Sequence, residues 1–126
     1  MTNTTTANGG SRTGSPPDNH LVFRECGAGW GPIIGPLIQR VTELGGSVEQ
    51  IKEKYGGLRF YFNSFSSVAS EGEWDRFEDQ LAQATLEAIR TCELCGRPGH
   101  MRTKAGWYKT LCDEDALLLG YKESIT

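Results

Sequence analysis

A chain of 126 residues with 13 basic and 16 acidic side chains, net −3, has room for one domain of ordinary size and no global attraction for polyanions. No run approaches the roughly 18 apolar residues of a membrane span, and the N-terminus lacks the basic-then-apolar pattern of a signal peptide. The 4 cysteines without an export signal point to a reducing cytoplasm, where a C-x2-C pair reads as a metal or redox motif before a disulfide.

Residues 1–19, "MTNTTTANGGSRTGSPPDN", carry almost no large apolar group and cannot offset their ordering entropy by burial, which predicts a disordered tail. A single α+β domain is expected over 20–126, starting near Leu21, Val22 and Phe23. In "GWGPIIGPLIQRVTELGG", Ile34, Leu37, Ile38, Val41 and Leu44 recur at three- and four-residue spacing and form one apolar helical stripe. Pro32 and Pro36 confine regular hydrogen bonding to the part after about residue 33, and Gly45-Gly46 supplies a C-terminal stop. Trp30 reads as a core lid.

In "SVEQIKEKYGGLRFYFN", Leu58, Phe60 and Phe62 alternate with Arg59, Tyr61 and Asn63, the period of a half-buried strand. Gly56-Gly57 offers the positive-φ positions of a tight hairpin. In the first arm, about 47–54, Val48 and Ile51 are out of step, which marks a bulge or an irregular start. The opposite face carries Lys52, Lys54, Arg59 and Tyr61. These residues either form a basic-aromatic surface or pair with Glu49, Glu53 and the acids at Glu71, Glu73 and Asp75.

A long helix follows over "SEGEWDRFEDQLAQATLEAIRTC". Ser70 with Glu73 makes a capping box, Trp74, Phe77, Leu81, Ala84 and Ala88 make the inner stripe with Leu86 and Ile89 beside it, and the helix is expected to run directly into Cys92. "CELCG" has the form of a zinc knuckle, "HMRTKAGWYKTL" of a short hairpin turning at Ala105-Gly106, and "LCDEDALLLG" of a short helix stopped by Gly120. Cys112 and Asp115, three apart, point from one face of that helix start.

The spacing C-x2-C-x16-C-x2-D falls in the range of four-ligand zinc sites apart from its last residue type, and predicts a treble-clef-like subdomain over 92–120 holding Zn2+ through Cys92, Cys95, Cys112 and Asp115. Two other residues compete to close the set: His100, five positions past Cys95, and the distant Cys26. A further alternative has no metal, with Asp113, Glu114 and Asp115 serving only the helix N-terminus and the thiols as small buried groups. A redox C-x2-C would ordinarily open a helix, whereas this one ends one.

Taken together, "CGAGW", "QIKEKYGGLRFYF", "CELCGRPG" and "GWYKTLCDEDA" resemble a family of small, uncharacterised bacterial and bacteriophage proteins, over about residues 25–118. The resemblance implies a metal site and a bacterial or phage setting, and no activity. Where the family pattern ends in C-x-x-H, this chain has Asp115.

The expected fold is two helices on a small antiparallel β-hairpin with the zinc knuckle at the C-terminal end. A zinc with four protein ligands has no open position and holds structure, and no catalytic constellation accompanies it, so the chain reads as a binding module rather than an enzyme. Exposed aromatics such as Tyr61, Trp107 and Tyr108 suit a protein partner. Alternatively, Arg97, Arg102, Lys104 and Lys109, interleaved with His100, Trp107 and Tyr108, would suit nucleic acid.

Overall fold

The first apolar stripe becomes helix α1, Gly31–Glu43, in the computed structural model, which describes residues 24–123. The expected tail and the domain start at Leu21, Val22 and Phe23 lie outside the described residues. Ile33, Ile34, Leu37 and Val41 are buried on one face. A 3-10 turn, Ala28–Trp30, leads in and buries the Trp30 side chain completely. Pro36 stands inside the helix, past the first turn to which proline was expected to be confined. Its missing N–H orphans only the Pro32 carbonyl, and both prolines are exposed, so water can serve that group. The helix closes as expected: the amides of Gly45 and Gly46 return to the carbonyls of Thr42 and Val41, with Gly45 at φ 85°.

Strands β2, Ser47–Lys54, and β3, Gly57–Asn63, form the expected antiparallel hairpin, and Ile51, Leu58 and Phe60 are buried in the core. The register slips between Val48 and Gln50, so Glu49 is the bulge. The turn differs by one residue from the sequence reading. Lys54 pairs with Gly57, which leaves Tyr55-Gly56 as the central pair at φ 54° and 81°. Both angles are positive, as the right-handed twist of a two-residue hairpin demands. The Tyr55 ring meets Tyr108 edge-on, with ring centres 6.5 Å apart. The sheet also holds a strand that went unread: β1, Arg24–Glu25, runs parallel to β2, giving the order β1-β2-β3.

Helix α2, Glu71–Ala88, opens with the full capping box of Ser70 and Glu73. Phe77, Ala84 and Ala88 are buried, and Trp74 stacks on Phe62 at 5.5 Å while Phe77 meets both edge-on. Ser70→Ala should cost about 1 kcal/mol at neutral pH in urea unfolding. Hydrogen bonds from the Ser70 amide and hydroxyl hold the Glu73 carboxyl below its usual range. The contribution of the ionised box is therefore present at neutral pH and lost as acidification passes through that lowered value, so the gap between wild type and variant should narrow in acid.

The helix stops at Ala88 and does not run into Cys92. The amides of Arg90 and Thr91 turn back to Glu87 and Ala88, and the carbonyls that would continue the helix are taken by other groups. The Gly99 amide bonds the Arg90 carbonyl at 3.0 Å, and the Trp30 indole bonds the Thr91 carbonyl at 2.9 Å. Strands β4, His100–Lys104, and β5, Trp107–Leu111, pair around the expected Ala105-Gly106 turn. Helix α3, Asp113–Leu119, ends at Gly120, and β6, Lys122–Glu123, adds to β4, giving the order β5-β4-β6.

The architecture is thus α+β, with three helices among the described residues and two small sheets, the first carrying a parallel edge. Two apolar cores result, a large one under β2, β3, α1 and α2 and a small one of Cys92, Leu111, Cys112 and Ala116. Among the described residues no helix is long and apolar enough to cross a membrane.

Candidate metal centre

The knuckle is a turn whose amides point inward: the Gly96 N–H reaches the Cys92 carbonyl at 2.9 Å, and the Cys92 N–H reaches the Arg97 carbonyl at 2.7 Å. This folds Cys95 back beside Cys92. From the other side, Cys112 caps α3, its Sγ accepting the Asp115 amide at 3.4 Å. The donors then converge. Asp115 Oδ2 lies 3.2 Å from Cys92 Sγ and 3.4 Å from Cys112 Sγ, and Cys95 Sγ lies 3.7 Å from Cys112 Sγ. Ligand atoms of Cys92, Cys95, Cys112 and Asp115 all fall within 4.8 Å of one another, so these four can hold a metal ion. Neither competitor belongs to the set. His100 faces Glu123 at 2.7 Å, and Cys26 packs against the large core.

The electrostatics divide the thiols. Burial pushes the Cys92 thiol up to about 11, so a cation must displace its proton to bind it. The exposed Cys95 is held below the usual thiol range, first by the Arg97 backbone amide and then by the guanidinium, whose Nε is 3.4 Å away. Hydrogen bonds from Cys92, Cys95 and Cys112 hold the Asp115 carboxyl low.

The C-x2-C turn is also the point where the two cores join, through a residue that no local pattern singles out. Glu93, between the two cysteines, is 2% exposed. Its carboxylate accepts the Gly27 amide at 2.8 Å, and its carbonyl accepts the Gly29 amide at 2.7 Å. The backbone of "CGAGW" therefore lies directly on "CELCG". A Cβ on Gly29 would sit 2.3 Å from the Cys92 carbonyl oxygen.

Lys109 joins the same junction, with its ammonium 3.2 Å from Glu93 and 3.6 Å from Glu53. Burial works against that charge, but the two carboxylates more than offset it and the lysine is held above its usual range. Next to it the buried Thr110 hydroxyl donates to the Gly56 carbonyl at 2.7 Å, fastening the first hairpin's turn to β5. An acid between two cysteines reads as a solvated charge from sequence alone, because its partners lie 66 and 16 positions away.

Lys109→Met keeps the aliphatic stem and leaves Glu93 buried without its cation, which should cost about 2–3 kcal/mol in urea unfolding. Combining it with Glu93→Gln should recover part of that loss, because the amide oxygen still accepts from Gly27 and no unpaired charge remains.

Each cation expected on a nucleic-acid surface has a partner within the chain. Arg97 pairs with Glu114 and touches Cys95. Arg102 is buried, bonding the Leu111 carbonyl, Asp113 at 2.6 Å and Glu123 at 3.3 Å. His100, Asp113 and Glu123 form a second exposed cluster of possible ligands, but two of its carboxylates already hold that guanidinium. Lys104 reaches the Leu119 carbonyl at 2.7 Å, and Lys109 is held at the junction. Trp107, at 73% exposed, is the more open of the two aromatics in the group, Tyr108 being half-buried. Comparison with protein-family models, with curated proteins and with solved structures gives no match for this chain.

Proposed function

We propose that the chain is a small zinc-stabilised binding module of treble-clef-like build that acts by protein–protein interaction. The donor geometry fits zinc. With Zn–S near 2.3 Å, tetrahedral coordination sets sulfur–sulfur edges of about 3.8 Å and sulfur–oxygen edges of about 3.5 Å. The edges here are 3.7 Å for Cys95–Cys112 and 3.2 and 3.4 Å from the cysteines to Asp115. A disulfide would require sulfurs about 2.05 Å apart. Cys92, Cys95, Cys112 and Asp115 would fill all four positions, and bound zinc would supply folding energy rather than an activated water. Asp115 stands where the resembled bacterial and phage family has histidine, and a carboxylate serves as a harder fourth ligand.

The observation that carries the interaction reading is the apolar surface left outside the metal end. Trp107 is 73%, Leu117 83% and Leu118 79% exposed. Lys104, which pairs with Trp107 across β4 and β5, anchors the hairpin tip to the end of α3. Large apolar groups held at one rigid end are what a partner's surface would cover. Nucleic acid on this hairpin has less support, because each of its cations is already engaged.

The test is a pull-down from a bacterial cytoplasmic extract with the full chain and with the triple variant Trp107→Ser, Leu117→Ser, Leu118→Ser, both checked for metal content. A protein captured by the wild type and lost with the metal-replete variant is the expected result. Equal capture by both would remove these side chains as the interface.

A further inference from the structure

The outer face of the first sheet is chemically unlike the rest of the molecule. Leu58 and Phe60 of β3 turn to the core, so Arg59 and Tyr61 turn outward. Across the ladder Arg59 stands opposite Lys52, Tyr61 opposite Gln50, and Gly57 opposite Lys54. Lys52, Lys54, Arg59, Gln50 and Tyr61 therefore share one surface. Two like charges face each other directly within it, an arrangement that costs stability in a ladder.

The acids that could relieve it are used elsewhere. Glu49 accepts from Asn63, Glu53 serves the Gly56 amide and Lys109, and Glu73 caps α2. Among the described side chains, no carboxylate lies within 4 Å of Lys52, Lys54 or Arg59, whereas Arg40, Arg97, Arg102 and Lys109 each have one. In register β1 sets Glu25 beside Lys52, and its other residue is the basic Arg24, so β1 brings no net charge to the sheet. Residues 1–23 contain a single acid, Asp18, and a single strong base, Arg12, so their composition cannot neutralise it.

Two tyrosines bracket this strip. Tyr61 is 45% exposed with the Lys52 ammonium 5.8 Å from its ring centre, and Tyr55 is 63% exposed with the Lys54 ammonium at 5.6 Å. The span from Gln50 to Lys54 is about 13 Å of strand.

From this face we infer a binding site for single-stranded nucleic acid, separate from the metal centre: the cations take phosphates and Tyr61 and Tyr55 take unstacked bases. A sheet face with rings beside cations suits a strand whose bases can splay onto it, and a duplex offers it phosphates but no free base faces.

The test uses fluorescence anisotropy of the full chain with a labelled oligothymidylate of about 12 nucleotides. Micromolar binding is expected at low salt, weakening about 20-fold between about 50 and about 200 mM for three phosphate contacts. Lys52→Gln with Arg59→Gln should lower affinity more than tenfold while leaving the thermal midpoint equal or higher, because the opposed charges are gone. Tyr61→Ala should lower affinity about tenfold with an unchanged salt slope. Lys104→Gln on the other hairpin should have no effect. The proposal is overturned if the oligonucleotide does not bind at low salt, or if a duplex binds as tightly. It is overturned equally if Lys104→Gln weakens binding and the Lys52, Arg59 pair does not.

Discussion

Cys95→Ser is expected to release the metal and unfold the C-terminal third of the chain, the largest effect of any single substitution considered. The side chain is exposed and its contacts are polar ones with Arg97, Cys92, Cys112 and Asp115, so the change alone removes almost no packing. The small core beneath it consists of Cys92, Leu111, Cys112 and Ala116, with Tyr121 at its margin. Two of those four buried residues are themselves candidate ligands, which leaves too little apolar surface to hold β4, β5 and α3 unaided. Structural zinc contributes about 10–16 kcal/mol of apparent binding energy in small zinc-dependent domains, far beyond a lost surface thiol. Metal analysis with circular dichroism should show zinc and C-terminal structure disappearing together. A serine variant that melts as the wild type does would mean that the three thiols are merely neighbours and hold no metal.

Gly29→Ala should be nearly as damaging without touching a ligand. The added methyl would lie 2.3 Å from the Cys92 carbonyl oxygen, 2.6 Å from that of Glu93 and 2.6 Å from the Gly96 amide. All three are backbone atoms of the knuckle, so no side-chain rotation can relieve the clash. The segment must lift away, breaking the Gly29–Glu93 hydrogen bond and the Gly27 contact to the Glu93 carboxylate. The cost should be about 3 kcal/mol or more, roughly a 10–20 °C fall in thermal midpoint for a domain of this size. Gly31→Ala, two residues on in the first turn of α1, meets nothing within 4 Å and should be neutral or slightly stabilising. Equal melting of the two variants would contradict the close docking of "CGAGW" on the knuckle.

What the sequence makes legible is what repeats locally. The stripes of α1 and α2, the alternation of β3, the bulge implied by Val48 and Ile51, and the Ser70–Glu73 box are written within a few residues. The donor set was legible for the same reason, because Cys92 and Cys95 share a turn while Cys112 and Asp115 share the start of a helix. Legibility failed where a residue's role is fixed by something distant. Strand β1 is two residues long and has no period of its own. The stop at Ala88 depends on a tryptophan 61 positions away from Thr91. The cations of the second hairpin look like an open surface until Glu93, Glu114, Asp113 and Glu123 are seen beside them.

The glycines of "CGAGW" and the Lys109 of "WYKTL" meet at the junction of the two cores. Residue patterns that look like a recognition surface in sequence here also fasten the first hairpin to the candidate metal centre. The surfaces left for partners lie outside them, at Trp107 and α3 and across Lys52, Arg59 and Tyr61.

The most direct measurement is the metal content of full-length protein purified without chelator, together with that of its Asp115→His and Cys95→Ser variants. About one zinc per chain is expected in the wild type, retained and bound more tightly with histidine at that position and lost with Cys95→Ser. Metal-free wild-type protein whose thermal midpoint does not move on adding zinc, and whose thiols react freely on mild unfolding, would contradict the site.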